Sequence, residues 1–193
     1  MKTILCIGDS NTFGYDPRSY LGSRYPAEIR WTARLDELDE WNVINRGMNG
    51  MTVLRAKASF ASVIKNGAFD LAVIMLGTND LVGGTSAEET AERMDAFLGW
   101  VQNAGKPVLL ISPPHLQYGD WVLDGEQIEE SLELGELYRE LAEKYGFSFA
   151  DAGEWDIDVT YDGVHFSPEG HATFAEKMRE VIQAWKAEYK ECH

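Results

Sequence analysis

Four short blocks hold side chains that could do chemistry together. Gly8-Asp9-Ser10-Asn11-Thr12 offers a hydroxyl, Asn45-Arg46-Gly47-Met48-Asn49-Gly50 offers glycines, and Gly77-Thr78-Asn79-Asp80 offers a side-chain amide. Asp162-Gly163-Val164-His165 sets a carboxylate three residues before an imidazole. A serine hydroxyl is a weak nucleophile at neutral pH and needs a base to take its proton, and the tetrahedral intermediate it forms needs hydrogen-bond donors for its oxyanion. The four blocks together hold the parts for acyl transfer. That chemistry requires no metal or cofactor, and no His/Cys cluster in the sequence has ligand spacing.

Short apolar runs alternate with longer helical patterns and must place these blocks. The runs Ile4–Ile7, Val43–Ile44, Leu71–Leu76, Val108–Ile111 and Phe147–Ala150 read as strands buried on both faces. Between them, Val53, Ala56, Phe60 and Val63 recur at helical spacing, as do Ala87, Ala91, Met94, Leu98 and Val101, and then Leu134, Tyr138, Leu141 and Tyr145. Phe174, Met178, Val181, Ile182, Trp185 and Tyr189 line one face of a last helix, with Ser167 as N-cap and Pro168 in its first turn. This alternation predicts an α/β fold, a three-layer α/β/α sandwich with a five-stranded parallel sheet of flavodoxin-like topology, because every parallel crossover needs a helix to return the chain. Residues 1–193 read as one domain. In such a sheet the loops after the strands gather along one edge, where the first three blocks fall.

Taken in order, the blocks resemble those of the SGNH or GDSL hydrolases, named for a serine, a glycine, an asparagine and a histidine. Gly8-Asp9-Ser10 matches the nucleophile block, Gly77-Thr78-Asn79-Asp80 the third block and Asp162-Gly163-Val164-His165 the fourth. Arg30-Trp31-Thr32 and Ser112-Pro113-Pro114 look like the arylesterase and acyltransferase branch. The resemblance implies Ser10 as nucleophile, and Ser10, Gly50 and Asn79 as oxyanion donors. In the second block Gly47 and Gly50 both qualify; aligning Asn45 with the family's Asn-x-x-x-x-Gly-x-Thr picks Gly50 with Thr52 and leaves Gly47 structural. One departure is Asn11, where the family usually has leucine, and a polar residue there is expected to alter the acyl pocket.

Each residue also has a plainer reading. Ser10 alone would be a helix N-cap, Asn79 a turn residue, Gly50 a positive-φ glycine, and Asp162 a turn aspartate. Four histidines compete for the role of base. His193 ends the chain, His171 falls inside the last helix, and His115 follows Ser112-Pro113-Pro114 as a candidate pocket residue, which leaves His165. Asp162 can orient its ring from three residues away. Asp9 is assigned to holding loop N–H groups, and Asp80 to capping the next segment. Trp31, Met48 and His115 are the candidate substrate-binding residues; Trp31 and Met48, with Tyr25, Tyr118, Trp121 and Leu81, are equally suited to packing.

Composition bounds the partners. With 17 basic against 32 acidic residues the net charge is −15, a field that repels phosphate backbones and anionic lipid surfaces. Neither nucleic acid nor membrane is expected as a partner, and no apolar stretch approaches the roughly 20 residues of a spanning helix. Lys2 is followed only by Ile4–Ile7 before Gly8, too short for a secretory signal, and the two cysteines, Cys6 and Cys192, make no disulfide framework. A cytoplasmic esterase acting on small neutral acyl esters or acetylated sugars is the expectation, with self-association left open. The rival is a non-catalytic flavodoxin-like binder of a nucleotide or sugar. Its phosphate cradle would lack a P-loop lysine and carry Asp9 at the helix entrance.

Overall fold

The computed structural model describes residues 2–19, 23–36 and 41–191. Cys192 and His193, and the side chain of Tyr189, lie outside the described residues. Five strands, β1 (Lys2–Gly8), β2 (Trp41–Gly47), β3 (Leu71–Met75), β4 (Val108–Ser112) and β5 (Ser148–Asp151), form one parallel sheet in the order β2-β1-β3-β4-β5. The helices are α1 (Ser10–Phe13), α2 (Trp31–Asp36), α3 (Val53–Asn66), α4 (Thr78–Val82), α5 (Ala87–Val101), α6 (Gly125–Tyr145) and α7 (Pro168–Glu191).

The central strands are apolar throughout because both faces are covered. Leu5 and Ile7, Ala72 and Ile74, and Val108 and Leu110 face one core with α3, α5 and α6. Their neighbours Ile4 and Cys6, Leu71, Val73 and Met75, and Leu109 and Ile111 face a second core with α2 and α7. This period of two follows from the strand geometry, in which successive side chains point to opposite faces. Most of the expected helical stripes are buried, but Ile64 rather than Val63 is buried in α3 and Ala142 rather than Leu141 in α6, while Tyr145 and Val181 are half-buried. Ser167 Oγ accepts the Gly170 N–H at 3.0 Å, the cap bond expected before Pro168.

The edge strands correct the expectation of burial on both faces. β2 is seven residues long, not the two of Val43–Ile44, with Trp41 buried, Asn42 and Arg46 exposed and the other four positions half-buried. Having a strand on one side only, it needs no continuous apolar run. The pairing sets where the loops start: Gly8 lies opposite Gly47 on one side and Met75 on the other, and Met75 lies opposite Ile111. The chain therefore leaves β1, β2 and β3 at one level of the sheet, and the first three blocks begin side by side. Among the described residues no helix is long and apolar enough to cross a membrane.

His171 shows how tightly the second core is closed. It is fully buried in α7, flanked edge-on by the rings of Tyr25 and Phe166, and its Nδ1 accepts the Trp31 N–H at 3.5 Å. Burial pushes its pKa down to about 3, and the nearby Arg34 and Arg30 charges add to the effect. An unfolded imidazole titrates near about 6.5, so between that pH and about 3 the unfolded chain binds a proton that the folded one refuses. Stability from this group is therefore present above the unfolded value and lost as pH falls. Asp9 opposes it between its ordinary value and about 6, since burial raises that carboxyl. A comparison with His171→Gln isolates the histidine. Urea unfolding is expected to show wild type losing about 2 kcal/mol more than the variant between pH 7 and 5; an equal loss in both would mean that His171 titrates like an exposed imidazole.

Candidate active site

The residue after β1 turns the chain sharply into a helix of one turn. The Asp9 side chain accepts the Asn11 N–H at 2.9 Å, and Gly14, at φ +87°, closes the turn with its N–H on Ser10 O. Ser10 thus stands at the start of α1, only 4% exposed, facing the loop that precedes α7. There its Oγ lies 3.0 Å from His165 Nε2, and His165 Nδ1 lies 2.7 Å from Asp162 Oδ2. The second oxygen of Asp162 accepts the N–H groups of Val164 and His165, each at 2.9 Å. The two oxygens of Asp162 thus have separate partners: one holds the turn and the other faces the imidazole. Burial works to raise the Asp162 carboxyl, but the His165 ring and these two N–H groups outweigh it and hold it below the usual carboxylate value.

Two hydrogen bonds of one side chain hold the histidine loop against the nucleophile turn. The Asn11 side chain donates to Val164 O at 3.1 Å and accepts from Phe166 N–H at 3.0 Å. The segment after β4 lies along the same loop: Gln117 N–H donates to Gly163 O, Asp120 N–H to Tyr161 O and Trp121 N–H to Asp162 O. Gly119 passes so close that a Cβ would sit 2.3 Å from Asp162 C. This approach brings Trp121 edge-on to His165, with ring centroids 5.0 Å apart, while Tyr15 packs on the same imidazole at 4.8 Å.

The second and third blocks are tied to each other. Asn79 donates from Nδ2 to Met51 O at 3.0 Å, which uses one of its two amide hydrogens. Asp80 accepts the Val53 N–H at 2.8 Å, so it caps α3 instead of the segment that follows it, and its other oxygen pairs with Arg93 at 2.9 Å. Gly50 is the third residue of a turn closed by Met51 N–H on Met48 O, has φ +67°, and has nothing within 4 Å of its Cβ position. Gly47 is different in kind. A Cβ there would meet Phe13 N at 2.1 Å, because β2 ends against the backbone of α1. Asn45 seals that contact, donating to Thr12 O and Thr32 Oγ1 and accepting Gly47 N–H.

The structure brings Ser10, His165 and Asp162 together and corrects several other expectations. Trp31 does not line the site: it is 1% exposed, packs on Phe174, and spends its indole N–H on Asn11 O at 3.1 Å. Its position at the start of α2 points it into the core under the sheet, where a large flat ring contributes most. Tyr25 and Leu81 are likewise buried. Asn11 does not reach toward an acyl pocket, since its amide is consumed by the histidine loop. His115 packs its ring on Gly153, where a Cβ would lie 2.1 Å from its Nε2. Met48 is exposed after β2 and lines a shallow groove with Arg46 and Ser59. Tyr15 was not singled out by the sequence; its place one residue after Gly14 was the only signal, and a weak one. Among the described residues no group of His, Cys, Asp or Glu is arranged to hold a metal ion.

Residues 6–173 match the model of the GDSL-like lipase/acylhydrolase family. The fold is similar to that of Est24, a carbohydrate acetylesterase from Sinorhizobium meliloti, at 27% identity and TM-score 0.82, covering 96% of this chain and 100% of that one. It is similar also to an aryl esterase from M. smegmatis at 27% identity and TM-score 0.77, covering 94% and 100%. Among curated protein sequences none matches significantly.

The two glycines of the second block give a direct check of the packing. Gly47→Ala drives a methyl into the backbone of α1, an overpacking that costs about 1–3 kcal/mol or more. Gly50→Ala meets only the left-handed backbone penalty of about 1–2 kcal/mol. Urea unfolding is expected to show Gly47→Ala as the more destabilised; the reverse order would contradict the close approach of β2 and α1.

Proposed function

The chain belongs to the GDSL-like lipase/acylhydrolase family and is a carboxylic ester hydrolase, and on that premise we propose that it works through an acyl-enzyme on Ser10. The observation that carries this reading is the unbroken line from Ser10 Oγ through His165 to Asp162, at 3.0 and 2.7 Å, assembled from blocks 155 residues apart. As Ser10 Oγ attacks the ester carbonyl, His165 Nε2 takes its proton, and Asp162 Oδ2 holds the imidazolium through Nδ1–H. The oxyanion is received by Ser10 N–H, Gly50 N–H and the amide hydrogen of Asn79 that Met51 leaves free. His165 then returns the proton to the departing alkoxide, and the same sequence with water releases the acid and restores Ser10.

The substrates proposed are small acyl esters of neutral alcohols, acetylated sugars among them, as the name of Est24 suggests for a chain of this fold. The charge of −15 disfavours anionic lipid surfaces. A non-catalytic binder would have no use for a hydroxyl aligned on an imidazole, and family membership sets that alternative aside. Acyl transfer to an alcohol is favoured by one specific feature: Trp121, half exposed and edge-on to His165, offers an apolar surface where the second acceptor must approach.

Hydrolysis of p-nitrophenyl acetate tests the roles. Ser10→Ala is expected to abolish turnover, and Asn79→Ala to lower kcat by about 10²- to 10³-fold with the fold retained. Turnover by Ser10→Ala within tenfold of wild type would remove Ser10 from the chemistry. With a vinyl ester donor and equal concentrations of ethanol, propanol and butanol, the ratio of ester to acid is expected to rise with chain length, by at most about fourfold per methylene, and to flatten in Trp121→Ala. A level series in wild type would assign the enzyme to hydrolysis alone.

A further inference from the structure

The contact that makes Ser10 reactive cannot also be the contact that holds the site together. In each turnover the proton between Ser10 Oγ and His165 Nε2 moves and Oγ turns to the substrate, so a separate tether must keep the two segments in register. Ser10 sits on α1 and His165 on the loop before α7, with 155 residues between them. The direct polar link is found one residue away from each. Asn11 donates from Nδ2 to Val164 O and accepts at Oδ1 from Phe166 N–H, so its amide pairs with the residues on either side of His165. It does to the histidine loop what a neighbouring strand would do, with a side chain in place of a backbone.

The amide is itself fixed at both ends of its own residue. Asn11 N–H donates to Asp9 Oδ1, and Asn11 O accepts the Trp31 indole N–H. Trp31 in turn donates its backbone N–H to His171 in α7, the helix that begins three residues after His165. Asn11 is 3% exposed, so water has little access to replace either bond. Only an amide presents one donor and one acceptor side by side in this geometry. A leucine of similar size could fill the space but would leave Val164 O and Phe166 N–H unpaired.

We infer that Asn11 is a positioning residue that sets the Ser10–His165 distance by clamping the backbone on both sides of the histidine. The inference rests on the proposed role of Ser10 and His165 and adds to it the means by which two distant segments stay aligned through the catalytic cycle. It makes position 11 a determinant of nucleophile reactivity, with KM left to residues that meet the substrate.

The test is the rate and the extent of Ser10 labelling by a fluorophosphonate, with the labelled residue mapped, in wild type, Asn11→Leu and Asn11→Asp. Asp keeps the shape and the acceptor for Phe166 N–H but loses the donor to Val164 O at neutral pH. If Asn11 positions the histidine, every molecule of each variant still labels at Ser10 but with a rate constant lower by about 10²-fold, and kcat for p-nitrophenyl acetate falls in parallel while KM stays within about twofold. A purely structural role predicts the opposite pattern, in which a fraction of the molecules fails to label and the rest label at the wild-type rate; that pattern overturns the inference. A wild-type rate at full extent in both variants overturns it as well. If Asn11→Leu does not fold, Asn11→Asp carries the same comparison. Wild type that does not label at Ser10 refutes the catalytic reading itself, an outcome distinguishable from failure of the clamp.

Discussion

A serine hydroxyl gives up its proton only to a base already within hydrogen-bond reach, and the reach is short: a misplacement of about 1 Å can cost a factor of 10² in rate. Here that reach is the 3.0 Å between Ser10 Oγ and His165 Nε2, spanning nearly the whole chain. The rest of the fold can be understood as the means of meeting this demand. The parallel sheet delivers three loops to one level at Gly8, Gly47 and Met75. The absence of room for a Cβ at Gly47 and at Gly119 shows how closely those loops are pressed on α1 and on the Asp162 turn. Asp80, buried and paired with Arg93, fixes the second block to the third through the first N–H of α3.

Electrostatics separate the two buried carboxylates that flank this contact. Asp162 accepts three N–H groups and is held below the ordinary carboxylate value, so it is ionised where the imidazole needs a counter-charge. Asp9 is fully buried with less support, and burial carries it up to about 6 despite the Asn11 N–H and the His165 charge. Two carboxylates near one histidine thus have opposite tendencies, set by how many donors each can reach. The aromatic rings of Tyr15 and Trp121 against His165 complete its surroundings, limiting water on the imidazole while leaving Trp121 half exposed at the entrance.

What the sequence made legible were features whose signal is local. The central strands are apolar on both faces and short, and the helical stripes repeat within one element, so both could be read from a window of residues. The Asp162-Gly163-Val164-His165 turn was legible for the same reason, since its partners are three residues apart. Contacts whose partners lie far apart in sequence were not. Trp31 looked like a loop aromatic because nothing near it announces that α2 turns inward onto Phe174. Asn11 read as an intrusion into the acyl pocket because its partners, Val164 O and Phe166 N–H, are backbone groups with no sequence signature at all. Asp80 was expected to cap the nearest segment, while its actual partner is the start of α3, 27 residues back. β2 reads short in the sequence for a different reason: an edge strand does not need the apolar continuity by which strands are recognised.

The central claim is that Ser10 carries the acyl group during turnover. Rapid acid quenching of the enzyme with p-nitrophenyl acetate, followed by peptide mapping by mass spectrometry, tests it without reliance on variants. The account predicts one acetyl group per chain on the peptide containing Ser10, appearing within the first turnover and disappearing as substrate is exhausted. The acetyl group on another residue, or no acetylated peptide under conditions where p-nitrophenol appears in a burst, would contradict it.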